Sequence, residues 1–191
     1  ISSIRNIQRY RRKKNKIPVI SLIGYTNSGK STLFNKLTKS NVLSKNMLFA
    51  SLDSTIRKSF FNDINVLFVD TVGFIRDLPT ALIDSFKSTL DEIIFSDIIL
   101  HIRDISDDNY LEHKREVLKI LNEIGVCSDD KRIIEVINKV DLIENKDFEH
   151  NSQKNGAIFL SAATGFGISN LKNRIKKSLI SENFSLFKQS Y

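Results

Sequence analysis

The stretch GYTNSGKST, Gly24 to Thr32, follows an apolar run and leads into a segment of helical pattern. Its glycines and lysine satisfy the spacing Gly-x-x-x-x-Gly-Lys-Ser through Gly24, Gly29, Lys30 and Ser31. Glycine at those places lets the backbone turn tightly, so that successive N–H groups of Tyr25, Thr26, Asn27, Ser28 and Thr32 can face phosphate oxygens. The start of the following helix adds a partial positive charge. Lys30 would reach the β- and γ-phosphates, and the Ser31 hydroxyl would be a ligand for Mg²⁺. The stretch therefore reads as a nucleotide phosphate cradle.

A second motif names the base. Asn138, Lys139 and Asp141 form Asn-Lys-Val-Asp at the end of the apolar run RIIEVINK. Guanine presents N1–H and an exocyclic amine side by side, and the Asp141 carboxylate can accept both. Adenine would leave that carboxylate unpaired, a penalty that discriminates strongly. Ser161, Ala162 and Ala163 close a further apolar run, and the Ala162 N–H is expected to face the guanine oxygen. Between these motifs Asp70, Thr71, Val72 and Gly73 follow NVLFV. Asp70 would hold Mg²⁺ through water, and the Gly73 N–H would meet a γ-phosphate. That contact exists only with the triphosphate, which makes the following loop a natural switch.

Many phosphate-releasing enzymes of this motif set place a glutamine after Asp-x-x-Gly to orient water. Here Phe74 stands there, and neither Arg76 nor Asp77 is an obvious substitute, so unaided hydrolysis is expected to be slow. His101 and His113 show no metal-ligand spacing and read as structural or surface residues. Phe60, Phe61 and Phe68 read as core. Cys127, the single cysteine, cannot form an intramolecular disulfide and points to a reducing setting.

The elements that must position these groups alternate between short apolar strands and amphipathic helices. Strands are expected at Val19–Tyr25, in SFFNDI and NVLFVDT with Asn62 and Asp63 near their turn, and in DIILHIRD, RIIEVINK and AIFLSA. Helices are expected from Lys30 to about Lys39, from about Ala81 to Phe95, from Tyr110 to Ile124 with a stop at Gly125, and from Ile168 to Ile180. Such alternation implies an α/β fold, a mostly parallel sheet flanked by helices. The net charge of +7 is local: residues 1–16 carry seven basic side chains and no acid, leaving 22 basic against 22 acidic residues beyond them. Residues 1–17 thus read as a basic tail bounded by Pro18, residues 18–181 as one domain and 182–191 as a C-terminal tail. The chain opens on Ile1, which suggests a piece of something longer, and no apolar run approaches the roughly 18 residues of a membrane span.

Three segments together, GYTNSGKSTLFN, DTVGFIRDLP and FKSTLDE, resemble the HflX family of GTPases over roughly Val19 to Ile180. The resemblance implies a P-loop NTPase of the Ras-like G-domain type, with six strands and one antiparallel edge strand. It implies GTP and GDP as ligands, Mg²⁺ as cofactor, and Lys30, Asn27 and Gly73 as the groups closest to hydrolysis. It further implies a G domain, expected to be monomeric, in a cytoplasmic protein associated with the large ribosomal subunit and its rRNA, the basic tail being the end of a linker helix. The first switch of the family resembles FASLDST, Phe49 to Thr55, here contributing Phe49, Ala50, Ser51, Leu52 and Asp53. It places the second Mg²⁺ hydroxyl at Ser51, where the family has Thr, with Thr55 as the rival; Ser54 replaces the family's proline. Serine keeps the oxygen but loses the methyl that stiffens χ1. Asn27 has two readings. It resembles the asparagine of cation-activated GTPases, which helps hold K⁺ against the phosphates, or it only tolerates the backbone angles of the turn. Two other functions stay open: a GTP/GDP switch with negligible turnover, and an RNA-binding protein with a vestigial nucleotide site.

Overall fold

In β1, Val19–Gly24, every residue is buried, so the strand can lie only inside a sheet covered on both faces. A computed structural model describes residues 17–38, 55–61, 64–71, 90–143 and 156–181. After β1 the chain runs through α1 (Lys30–Thr38), β2 (Thr55–Phe61), β3 (Ile64–Asp70), a helical turn at 90–94 and β4 (Ile98–Asp104). It continues through α2 (Tyr110–Glu123), β5 (Ile133–Asn138), a 3₁₀ turn at Val140–Leu142, β6 (Ile158–Phe159) and α3 (Ile168–Ser181). The basic tail, the C-terminal tail, the first switch at 49–54, the segment 72–89 and the Asn62–Asp63 turn lie outside the described residues.

The sheet has six strands in the order β2-β3-β1-β4-β5-β6, all parallel except for the β2–β3 pair. Strand alternation divides the core in two. Ile20, Leu22, Leu100, Ile102 and Val136 join Leu33 of α1 and Leu171 and Ile175 of α3 on one face. On the other, Ile23 and Ile99 pack against Ile93, Val117 and Leu121. His101 and Arg103 share this second face with Ile99, which turns them toward α2. The chain passes from β3 across β1 to β4, so a crevice opens at the carboxyl ends of the strands, where ligands settle in folds of this type. Register brings the ends level: Leu22 lies opposite Asp70, Gly24 opposite Ile102, and Asp104 opposite Asn138.

Three expectations need correction. β2 begins at Thr55, four residues before the SFFNDI run suggested, and pairs with β3 from Thr55↔Asp70 to Phe61↔Ile64. Its start was hidden because it is an edge strand, and Arg57 and Lys58 break the apolar pattern there. Phe60 is 69% exposed rather than core, whereas Phe68, one strand inward, is fully buried. The final strand, too, is only Ile158–Phe159. Among the described residues no helix is long and apolar enough to cross a membrane.

Leu100 is fully buried at the middle of β4, with a strand on each side. Leu100→Ala is expected to lower stability by roughly 2–5 kcal/mol, measured as a reduced urea midpoint at unchanged slope.

Candidate functional site

The loop from Gly24 to Lys30 is shaped by contacts that admit no side chain at two positions. Gly24 has φ 155°, and a Cβ there would stand 2.2 Å from the carbonyl oxygen of Ile102. Gly29 has φ 91°, and its Cβ would meet Asn138 Nδ2 at 2.2 Å. Only glycine fits both the backbone angle and the space. Asn27, exposed between them, holds φ 58°, an angle that asparagine tolerates better than most residues. This accords with the turn reading of that residue. The loop closes on Tyr25, whose carbonyl accepts the Ser28 N–H at 3.3 Å and Lys30 Nζ at 2.7 Å.

Asn138, 1% exposed, ties this loop to the opposite end of the crevice. Its Nδ2 donates to the Ser28 carbonyl at 2.9 Å, and its Oδ1 accepts the Ala162 N–H at 2.9 Å. The Ala162 N–H was expected to face the guanine oxygen; in the structure it is turned onto Asn138. Ser161, fully buried, accepts the Thr164 N–H on its hydroxyl at 3.1 Å and so holds the turn that follows. Lys139 has φ 65°, and its Nζ pairs with Asp104 Oδ2 at 2.6 Å. Asp141 is exposed on the 3₁₀ turn, with its carboxylate accessible. Leu142 and Phe166, large and exposed, stand on the same two segments.

At the other end of the crevice, Ser31 and Asp70 come together. The Ser31 hydroxyl bonds the Asp70 carboxylate, while Asp70 Oδ1 is buried with no protein partner. Burial pushes the Asp70 carboxyl up, against the Ser31 bond and the positive charges of Lys30 and Arg57. Two hard oxygen donors side by side, one with spare acceptor capacity, fit Mg²⁺. Among the described residues no group of three or more His, Cys, Asp or Glu could hold a metal alone. Thr71 is locked away from this point, its hydroxyl donating to the Leu22 carbonyl at 2.6 Å. Thr55 lies in the β2 ladder opposite Asp70. Phe49, Ala50, Ser51, Leu52, Asp53, Val72 and Gly73, with Phe74, Arg76 and Asp77, lie outside the described residues.

Comparison with known proteins decides the family. The profile of the family described as "50S ribosome-binding GTPase" matches residues 19–139. This chain belongs to that GTPase family. It is 42% identical to GTPase HflX of Caldanaerobacter subterraneus subsp. tengcongensis over 179 residues, 93% of this chain and 40% of that protein. GTPase HflX of Flavobacterium psychrophilum is 52% identical over 122 residues, 64% of this chain and 29% of the relative. The chain thus spans well under half of these relatives. Among solved structures, a GTP-binding protein from Sulfolobus solfataricus in complex with GDP superposes with a TM-score of 0.66 at 28% identity. The match covers 95% of this chain and 62% of that one.

Several features of this G domain were not legible as motifs. Asn138 acts as a strut, although its motif suggested a contact near the base. Asp104, the partner of Lys139, was visible only as an acid at a strand end. The ring of Tyr25 lies flat on that of His113, with centroids 3.7 Å apart and planes at 6°. No spacing pattern links residues so distant in sequence.

Lys30 carries the electrostatics of the cradle. It is 7% exposed, and burial lowers its pKa to about 8, with Asp70 pulling the other way. A bound triphosphate would compensate the ammonium and raise that pKa again, so binding should take up a proton once the pH passes about 8. Nucleotide affinity is therefore expected to fall as pH rises through about 8, with proton uptake seen by calorimetry in buffers of different ionisation heat. Lys30→Met should bind weakly and show no such uptake. Without nucleotide the sign reverses. The cost of the buried charge is fully present below about pH 8 and fades as pH rises toward 10.5, so the stability advantage of Lys30→Met should narrow across that window.

Proposed function

We propose that this domain binds GTP with Mg²⁺ and hydrolyses it to GDP and phosphate, slowly by itself, within a larger protein that works on the large ribosomal subunit in the cytoplasm. The observation that carries the reading is the Asn138 bridge. By bonding both Ser28 and Ala162 it makes the phosphate cradle and the base-side loop one rigid unit. A nucleotide held at both ends has its γ-phosphate oriented before any chemistry begins.

In this reading the loop N–H groups and Lys30 carry the charge of the phosphates, and Ser31 and Asp70 hold Mg²⁺, which neutralises charge developing on the phosphoryl oxygens. Ser51 completes the metal site when the first switch closes. It is favoured over Thr55 by the resemblance of FASLDST to the family's first switch. The Gly73 N–H reads the γ-phosphate. Asp141 accepts from the guanine N1–H and amine, Lys139 lies along the base supported by Asp104, and Ala162 and Ala163 face the base oxygen once Asn138 shares its hold. Phe74 offers no group to orient water, which favours a partner-activated enzyme and keeps the GTP/GDP switch with negligible turnover as the second reading. The vestigial-site reading draws no support from a cradle whose glycines, lysine and strut are all in place. The description of the family, with the basic residues before Pro18, supports a ribosomal partner.

Asp141→Asn is expected to weaken GTP binding by roughly 10–100-fold and to shift preference toward xanthine nucleotides; unchanged selectivity for guanine would refute the base assignment. Phosphate release from GTP, followed in K⁺ and in Na⁺ buffer with and without large ribosomal subunits, tests the activity. Stimulation by subunits supports the enzyme, while no turnover under any condition leaves the switch. A K⁺ effect abolished by Asn27→Ala would show that Asn27 does more than hold its turn.

A further inference from the structure

Outside the nucleotide site, the described residues that touch the cradle from behind belong to the first turn of α2 and the end of β4. We propose that His113 is a positioning residue for the phosphate cradle, acting through its stack on Tyr25 to slow nucleotide release. The inference rests on the guanine-nucleotide reading above.

Tyr25 is the hub of the loop. Its carbonyl is the acceptor for both the Lys30 ammonium and the Ser28 N–H. On one side it follows Gly24, pressed against the Ile102 carbonyl. On the other it leads into the exposed turn at Asn27. The ring of the same residue lies parallel to the imidazole of His113 at 3.7 Å, a contact that ties the loop to α2. The imidazole is itself aimed. Its Nδ1 lies 3.3 Å from Asp107 Oδ2, and Asp107 Oδ1 accepts the Asn109 N–H at 2.8 Å just before α2 begins. The His113 backbone N–H also bonds the Asn109 carbonyl at 3.0 Å, so Asp107, the start of α2 and the ring are joined by local hydrogen bonds.

Beneath the stack lies a narrow crevice lined by Ser28, His101, Arg103 and Tyr110 among others. His101 is 1% exposed, and burial lowers its pKa to about 3, so it is neutral and adds no charge beside the cradle. The Arg103 guanidinium is paired with Glu135 and lies over the Tyr110 ring at 5.5 Å, which anchors one side of the crevice. Ser28, one wall, carries the carbonyl that Asn138 grips. The two rings thus line the same crevice as the cradle residue Ser28. Loss of the imidazole removes the contact that ties the Tyr25 side chain to α2, and leaves the loop held from within only.

Aromatic pairs of this geometry affect equilibria by about 2- to 10-fold beyond the area they bury. Release of a fluorescent GDP analogue from the 191-residue chain, measured by stopped flow with Mg²⁺, provides the test. His113→Ala and His113→Gln should each speed release by roughly 3- to 10-fold. His113→Phe, which keeps a ring but not the Asp107 contact, should bring it back to within about twofold. Tyr25→Ala should speed release as well, and adding His113→Ala to it should change little further. Unchanged release in His113→Ala, additive effects in the double variant, or restoration by Gln rather than Phe would each overturn the proposal. Should the unaltered chain fail to bind the analogue at all, the nucleotide reading falls first; binding without dependence on His113 removes this inference alone.

Discussion

A buried amide joins the two halves of the site. Asn138 spends its Nδ2 on the Ser28 carbonyl and its Oδ1 on the Ala162 N–H, and both bonds lie out of solvent. Leaving either partner unpaired in that environment would cost on the order of 1–3 kcal/mol, so cradle and base-side loop keep their separation. The same amide explains a glycine, because Asn138 Nδ2 occupies the space that a Cβ on residue 29 would need. Sheet register supplies the strut's placement: Asn138 ends β5 level with Asp104 at the end of β4, and β4 is level with Gly24 of β1. A shift of one residue in β5 would turn the amide to the other face of the sheet.

The charge in the site follows from this rigidity. Lys30 is buried before any ligand arrives, and its ammonium is paid for in part by the Tyr25 carbonyl and the nearby Asp70. Asp70 is raised by the same burial and keeps one oxygen without a protein partner. Both groups are less comfortable than they would be in water, and the magnesium–triphosphate complex proposed for this site would relieve both. Electrostatic preorganisation of this kind places the strain in the unliganded protein and the compensation in the bound state.

Support for the cradle also arrives from α2, which no motif marks. Its first turn is organised by Asp107, and the imidazole so oriented meets Tyr25. The hydrophobic face of α2, through Val117 and Leu121, anchors the helix to the second core cluster. The α2 layer thus meets the phosphate-binding loop through one ring stack.

Local chemistry was legible from the chain itself. The glycine and lysine spacing announced a phosphate loop, Asp141 in its motif announced guanine, and alternating apolar runs announced a mostly parallel sheet flanked by helices. Each of these is written over a few neighbouring residues, as turn angles, charges and periodicities are. The start of β2 and the exposure of Phe60 were not legible, because an edge strand owes its pairing to β3 and its exposure to the missing neighbour on its other side. Nor could the motif say that Asn138 bonds the Ala162 N–H, or that His113 would lie on Tyr25. Those contacts join residues separated by long stretches of chain, and only the sheet order and register bring them within hydrogen-bond or stacking distance. The sequence by itself determined which groups could hold a guanine nucleotide; tertiary structure decided which of them are brought together and which hold the others in place.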